Sequence, residues 1–434
     1  CLTSCAQVQP KSRPGTADHE IVTLTPVAED KMMITIRGTD GVQVEYLEQG
    51  IEEHFPEVDI VFQNNTWVQA DLTHGCAQDI LLVNGNVISG WHAPEYLIDL
   101  SGKSYLQIYY LPGPSNIYGI VYNKDMFDQH GWEVPKNLDE FITLCATIEE
   151  TGIRAIQPAL YYKDATRQFF TGFTYEPTLS GVENSAWLAD YRIGNTSMTG
   201  HMEPAFEIME RFIDEGILRA GDFETRPSER SDMLYRDHTC AMILETQDAV
   251  NYALRYNRDI PPTVAMMPFF SGNGPDSDYL LAVPNYLLCV NKDLEQQGNE
   301  EKLSKVNEIL AFLSTAEGQK AVTPPDSTMI SSIRGMAWNN SAFLNNVTDT
   351  IQKGAVVQQP YFVGNSNTEV DTVLKSDLLL LSQDAISPKQ CMEDLDAARD
   401  RVLSEKQQPE QNIMIGRAAE DFTVLQTAQL FADI

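Results

Sequence analysis

The stretch "YGIVYNKDMFDQHGWEVPKNLDEF", Tyr118–Phe141, decides how the rest of the chain is read. It opens with an apolar run of strand length, Tyr118–Tyr122, inside a segment, Leu111–Asn123, that holds two prolines and two glycines. That composition suits a crossing between two lobes. The stretch closes by starting a helix: Leu138, Phe141, Ile142, Cys145 and Ile148 fall on one apolar stripe. Asn137 and Glu140 are spaced as a capping box and Gly152 as a stop, so a helix is predicted over residues 138–150.

Toward the N-terminus the pattern alternates. Residues 31–37 read as a buried strand, Val44, Leu47, Ile51 and Phe55 as a helix ended by Pro56, and residues 58–62 and 79–83 as two further strands. Strand, helix, strand in this order predicts a parallel sheet covered by helices, with ligand loops at the carboxyl ends of the strands. The loops at Thr39–Asp40 and Asn84–Trp91 are therefore candidate contacts. Toward the C-terminus, helices are predicted over 203–215 and 301–313 with a strand at 240–244 between them, and Ser314 and Glu317 would cap one more short helix. Further Pro/Gly-rich crossings are read at Met267–Pro275 and near Val322–Asp326. Three crossings divide the chain into a tether (1–30), a first lobe (31–112 with 271–322), a second lobe (113–270 with 323–405) and an extension (406–434). Lobes built from discontinuous chain favour hinge closure.

Composition narrows the function. The 434 residues exceed what one core holds, since cores stop growing near roughly 250–300 residues. With 62 acidic against 30 basic residues, the net charge of −32 repels phosphate backbones, so nucleic acid is not an expected partner. The acidity keeps an exposed protein soluble, or it selects a cationic ligand. Seven cysteines stand singly, without the C-x-x-C pairs of metal or redox sites, and no cofactor is expected. No run of about 18 apolar residues could span a bilayer. The sequence starts at Cys1 and stays polar through Glu29, as in a lipoprotein whose Cys1 thiol carries lipid ahead of a flexible tether.

These residues resemble the bacterial extracellular solute-binding proteins of the sugar ABC transporter type, the group that includes maltose-binding protein. The likeness lies in Tyr118–Phe141 and, in the same order, in "YRDHTCAMILETQDA" (Tyr235–Ala249), "VNEILAFLSTAEGQKAV" (Val306–Val322) and "ISPKQCMEDLDAARDRVL" (Ile386–Leu403). It implies an α/β, two-lobe periplasmic-binding-protein-like fold, each lobe a sheet flanked by helices and joined by hinge crossovers. It further implies a monomeric, membrane-anchored surface protein that captures a saccharide by closure and passes it to a permease. Aromatic faces would cover the sugar ring while amides and carboxylates take its hydroxyls.

Carried over one by one, the resemblance puts Asp40, Asn84 and Asn86 near the cleft and Asn116 and Tyr118 on its floor. Where sugar binders of this family often carry a stacking tryptophan, this chain has Glu245, Gln247 and Asp248. That departure leaves room for a hydroxyl-rich oligosaccharide or for a cationic solute such as a polyamine. Stacking would come instead from Trp67, Trp91, Phe170, Tyr175, Tyr279 or Trp338, and Arg334 could reach the cleft. An enzyme is not expected, because G-x-S-x-G, H-E-x-x-H, Walker and dinucleotide fingerprints are missing. Glu245 and Asp248 as glycosidase carboxylates are the nearest rival. The segment "IGRAAEDFTVLQTAQLFADI" faintly resembles the opening of the C-terminal domain of secreted nucleotidases, which would make the chain the binding module of a larger surface enzyme; an ordinary terminal helix is the simpler reading. An adhesin or signalling partner of the same fold is a third.

Overall fold

The computed structural model describes residues 31–38, 44–63, 68–83, 93–100, 110–256, 263–324, 327, 329–331, 342–358, 362 and 369–405. The strands are β1 (Met32–Arg37), β2 (Val58–Gln63), β3 (Ile80–Val83), β4 (Leu111–Pro112), β5 (Ser115–Asn123) and β6 (Arg154–Gln157). There follow β7 (Cys240–Thr246), β8 (Val264–Met267), β9 (Phe269–Phe270), β10 (Asp278–Pro284), β11 (Leu287–Val290) and β12 (Val356–Gln358). They make two sheets. The first runs β2-β1-β3-β11-β4, and the second runs β12-β10-β5-β7-β6 with β8 paired to β5 and β9 to β10.

In the first sheet β1 lies parallel to both β2 and β3. One face is covered by the helices Val44–His54 and Glu300–Leu313, which bury Leu47, Ile51, Val306 and Ile309 against Ile34, Ile36, Ile60 and Leu82. On the other face Val68, Leu72 and Leu97 cover Leu81, Val83 and Cys289. A sheet buried on both faces needs continuous apolar strands, which is why β3 reads Ile-Leu-Leu-Val with all four residues buried.

The second sheet is also sandwiched. Phe141, Phe169, Phe173 and Phe212 pack against one face and Leu234, Val250, Leu344 and Ile351 against the other. The helix Leu138–Glu149 starts as its sequence predicts: Asn137 accepts the Glu140 N–H at 2.9 Å, and the Glu140 carboxylate takes the Lys136 N–H at 2.9 Å. The next predicted cap shifts by one residue. Thr315, not Ser314, accepts the Gly318 N–H that starts the helix Ala316–Val322, because the Ser314 hydroxyl turns back to the Leu310 carbonyl.

Among the described residues the chain passes between the sheets at Gly113–Pro114, at Asn285–Tyr286 and before Ile330. The second passage differs from the expected Met267–Pro275. That Pro/Gly-rich run is the turn of a hairpin in which β10 folds back on β9, pairing Asp278 with Phe270, and the Ser277 hydroxyl accepts the Gly274 N–H at 3.0 Å. Residues 271–284 therefore belong with the second sheet, not with the first lobe where the sequence reading put them. The passages are tied together by their backbones: Gly113 N–H to Tyr286 O (2.9 Å), Asn285 N–H to Pro114 O (2.9 Å) and Ser115 N–H to Ile330 O (2.9 Å).

Candidate ligand site at the passage between the sheets

Strand register decides which end of each sheet meets the passage. Leu287, the first residue of β11, pairs with Val83 and with Pro112, so the carboxyl end of β3 lies at the passage, and those of the parallel β1 and β2 point the same way. In the second sheet Ser115 pairs with Pro284 and Tyr118 with Thr246, which puts the carboxyl end of β7 at the passage too. β6 runs parallel to β7 and β12 parallel to β10, so their carboxyl ends face the same way. Both sheets thus offer each other the end at which open α/β sheets bind ligands.

Five sequence candidates lie at this end of the second sheet. Asn116 is half-buried, and its Oδ1 has no hydrogen-bond partner among the described residues. Tyr118 stacks on Phe269 with centroids 5.9 Å apart. Burial pushes its hydroxyl pKa far above the usual value, with Arg230 opposing the rise and Glu245 adding to it. Glu245 is not a free acceptor. One carboxylate oxygen takes the guanidinium of buried Arg230, and the other takes the Thr246 N–H at 2.9 Å. Gln247 is fully buried, and its side-chain carbonyl accepts the Ile117 N–H of β5. It is built into the passage rather than exposed to a ligand. Asp248 is exposed in the first turn of the helix Gln247–Tyr256, where the helix dipole favours an anion.

The aromatic candidates fare differently. Phe170 is 1% exposed and packs on Phe206 and Phe362, so its ring faces the core. Tyr175 is buried beside Tyr279, with centroids 4.8 Å apart. Tyr279 pairs with Phe269 one residue from the level of Glu245, but it packs with the cluster on one face of the sheet while Glu245 takes Arg230 from the helix on the other, so these rings do not join Glu245. Asp40, Asn84, Asn86, Trp91 and Arg334 lie outside the described residues, as do Trp67, Trp338, Cys1 and residues 406–434.

One pair was missed by the sequence reading. Tyr161 and Tyr162 follow the carboxyl end of β6, and Tyr162 is 55% exposed. Their rings meet edge to face at 5.0 Å. Arg226 and Lys375 place cations 4.7 and 5.2 Å from the Tyr161 centroid, which helps to fix that ring. The available signal was two adjacent tyrosines three residues after the proline that ends a buried strand. Among the described residues no group of three or more His, Cys, Asp or Glu could hold a metal ion, and no helix is long and apolar enough to cross a membrane.

The family described as bacterial extracellular solute-binding protein matches residues 33–337. The chain belongs to that family. No curated protein matches this solute-binding protein in sequence. Solved structures share its fold. A family 1 extracellular solute-binding protein from Bifidobacterium longum subsp. infantis has a TM-score of 0.69 at 17% identity, covering 86% of this chain and 99% of its own. The apo form of RafE from Streptococcus pneumoniae gives 0.68 at 14% identity, covering 87% and 99%. A sugar transporter from Bacillus licheniformis in complex with stachyose gives 0.55 at 15% identity, covering 86% and 100%. The two-lobe α/β architecture of this solute-binding protein is the one expected from its sequence, with the second boundary moved as described above.

Proposed function

We propose that this protein binds a carbohydrate between the facing ends of its two sheets and delivers it to an ABC transporter permease without altering it. The observation that carries this reading is the kind of groups gathered at one end of the second sheet. The exposed ring of Tyr162, set against half-buried Tyr161, offers an apolar face, while Ser115 Oγ, Asn116 Oδ1, Arg230 Nε and Tyr235 Oη are buried polar atoms without partners among the described residues. A sugar presents the matching chemistry, an apolar ring face edged by hydroxyls that both donate and accept. Relatives in fold include RafE in complex with raffinose and a chitin oligosaccharide binding protein, which supports the same ligand class.

Closure over such a ligand is a population shift driven by contacts to both lobes at once. Attachment to the membrane through lipid on Cys1 belongs to this proposal, and loss of fatty-acid labelling in Cys1→Ser tests it.

A thermal-shift screen against raffinose, stachyose, galactose, chitin oligosaccharides, spermidine and nucleosides tests the ligand class, because a ligand that binds only the folded state raises its melting temperature. A saccharide is expected to shift the midpoint. A shift by spermidine with none by any sugar overturns the reading. Sugar products after incubation with these glycans would overturn the non-enzymatic part.

A further inference from the structure

Arg230 sits on the helix Pro227–Tyr235, which packs on the face of the second sheet that carries Val121 and Ile243. Its side chain is 5% exposed, and it reaches Glu245 on β7, whose side chain is 13% exposed, at the passage end of the strand. We propose that Arg230 determines the charge class of the solute: by neutralising Glu245 it makes the site accept neutral solutes and refuse cations. The inference rests on the binding reading above and goes beyond it by naming the residue that sets selectivity.

The argument is electrostatic. A protein of net charge −32 concentrates cations around itself, and a cleft focuses that field. A bare carboxylate at the carboxyl end of β7, in a site partly shielded from water, would turn the attraction into binding. Glu245 is not bare. The guanidinium beside it cancels its charge locally, and Gln247, two residues further on, is a neutral amide. Asp248 is exposed to solvent, where ions screen it, and it lies at the positive end of a helix. A purely structural brace between helix and strand would need only the contact. A selectivity device also needs the pair to stand where solute arrives, and Glu245 lies directly before Thr246 and Gln247, at the end of the strand that meets Tyr118 and Ile117.

The test measures calorimetric affinities of the full chain for raffinose, spermidine and digalacturonate. Arg230→Gln leaves Glu245 alone, and spermidine affinity is expected to rise at least tenfold. Glu245→Gln leaves Arg230 alone, and digalacturonate affinity is expected to rise at least tenfold while spermidine stays refused. In the double variant both gains are expected to vanish, a reversal that loss of a structural brace would not produce. Circular dichroism confirms folding, and should Arg230→Gln fail to fold, the Glu245→Gln arm decides. Folded single variants that treat spermidine and digalacturonate as the wild type does overturn the inference. A wild type that ignores every saccharide overturns the carbohydrate reading instead, and the two charge gains in the variants still support the role of Arg230.

Discussion

The side-chain carbonyl of Gln247 holds the backbone N–H of Ile117, joining the start of one helix to the strand that emerges from the first passage. The β5–β7 ladder runs only as far as Tyr118 and Thr246, so Ile117 lies one residue past its last pair, and Gln247 supplies the acceptor there. A buried amide left without an acceptor costs about 1–3 kcal/mol. Gln247→Leu, which keeps the bulk and removes the carbonyl, is expected to lower stability by that amount in urea unfolding at unchanged m-value. Unchanged stability would show that another group takes over the Ile117 N–H.

Gly113 and Tyr286 make a second, steric lock on the same passage. A β-carbon on Gly113 would stand 2.5 Å from Cε2 and Cζ of the Tyr286 ring, closer than non-bonded atoms tolerate. Gly113→Ala is expected to cost about 1–3 kcal/mol through overpacking. The double variant Gly113→Ala with Tyr286→Leu should recover part of the loss, and a chemical-denaturation cycle reads the coupling. Additive losses would mean that the ring does not oppose the added methyl.

Tyr162 gives the sharpest separation of binding from folding. Its ring is 55% exposed, so Tyr162→Ala should change stability by no more than about 0.5 kcal/mol. If the ring stacks on a sugar, affinity falls by roughly 1–2 kcal/mol, about tenfold in Kd. Calorimetry with the best saccharide of the screen measures it. Equal affinities for variant and wild type would take the Tyr161–Tyr162 pair out of the site.

Local pattern carried the architecture further than it carried the site. Ile34 and Ile36 alternate in a strand, and Asn137 and Glu140 cap a helix, by rules that involve near neighbours only. The Gly272–Pro275 run satisfied the composition of a passage and of a hairpin turn equally, and only the pairing of Asp278 with Phe270 distinguishes them. Site residues depend on contacts remote in sequence. Tyr162 caps the start of the helix Lys163–Leu179 and Phe170 lies in its middle, yet the latter turns into a core shared with Phe206 and Phe362 while the former stays in solvent. The charge of Glu245 could not be weighed without Arg230, which approaches from another helix.

Asp377 links stability to pH. It lies on the helix Glu369–Leu381, is 6% exposed, and its Oδ2 has no hydrogen-bond partner among the described residues. Burial, reinforced by the Asp394 carboxylate on the adjoining helix Pro388–Glu405, pushes its pKa up to about 7. The unfolded carboxyl releases its proton near pH ~4. Between that value and 7 the native state holds a proton that the unfolded state has lost, so stability falls as pH rises, and the loss is complete above the folded pKa. At ~1.4 kcal/mol per unit, the whole effect is at most ~4 kcal/mol. Asp377→Asn keeps the shape without the charge, so its stability should match the wild type near pH 4 and exceed it by about 2 kcal/mol or more at pH 8. Asp394→Asn should soften the fall without abolishing it, since burial is the larger cause. Urea midpoints measured from pH 4 to 8 decide the matter, and parallel curves for wild type and Asp377→Asn would show that this carboxyl ionises alike in both states.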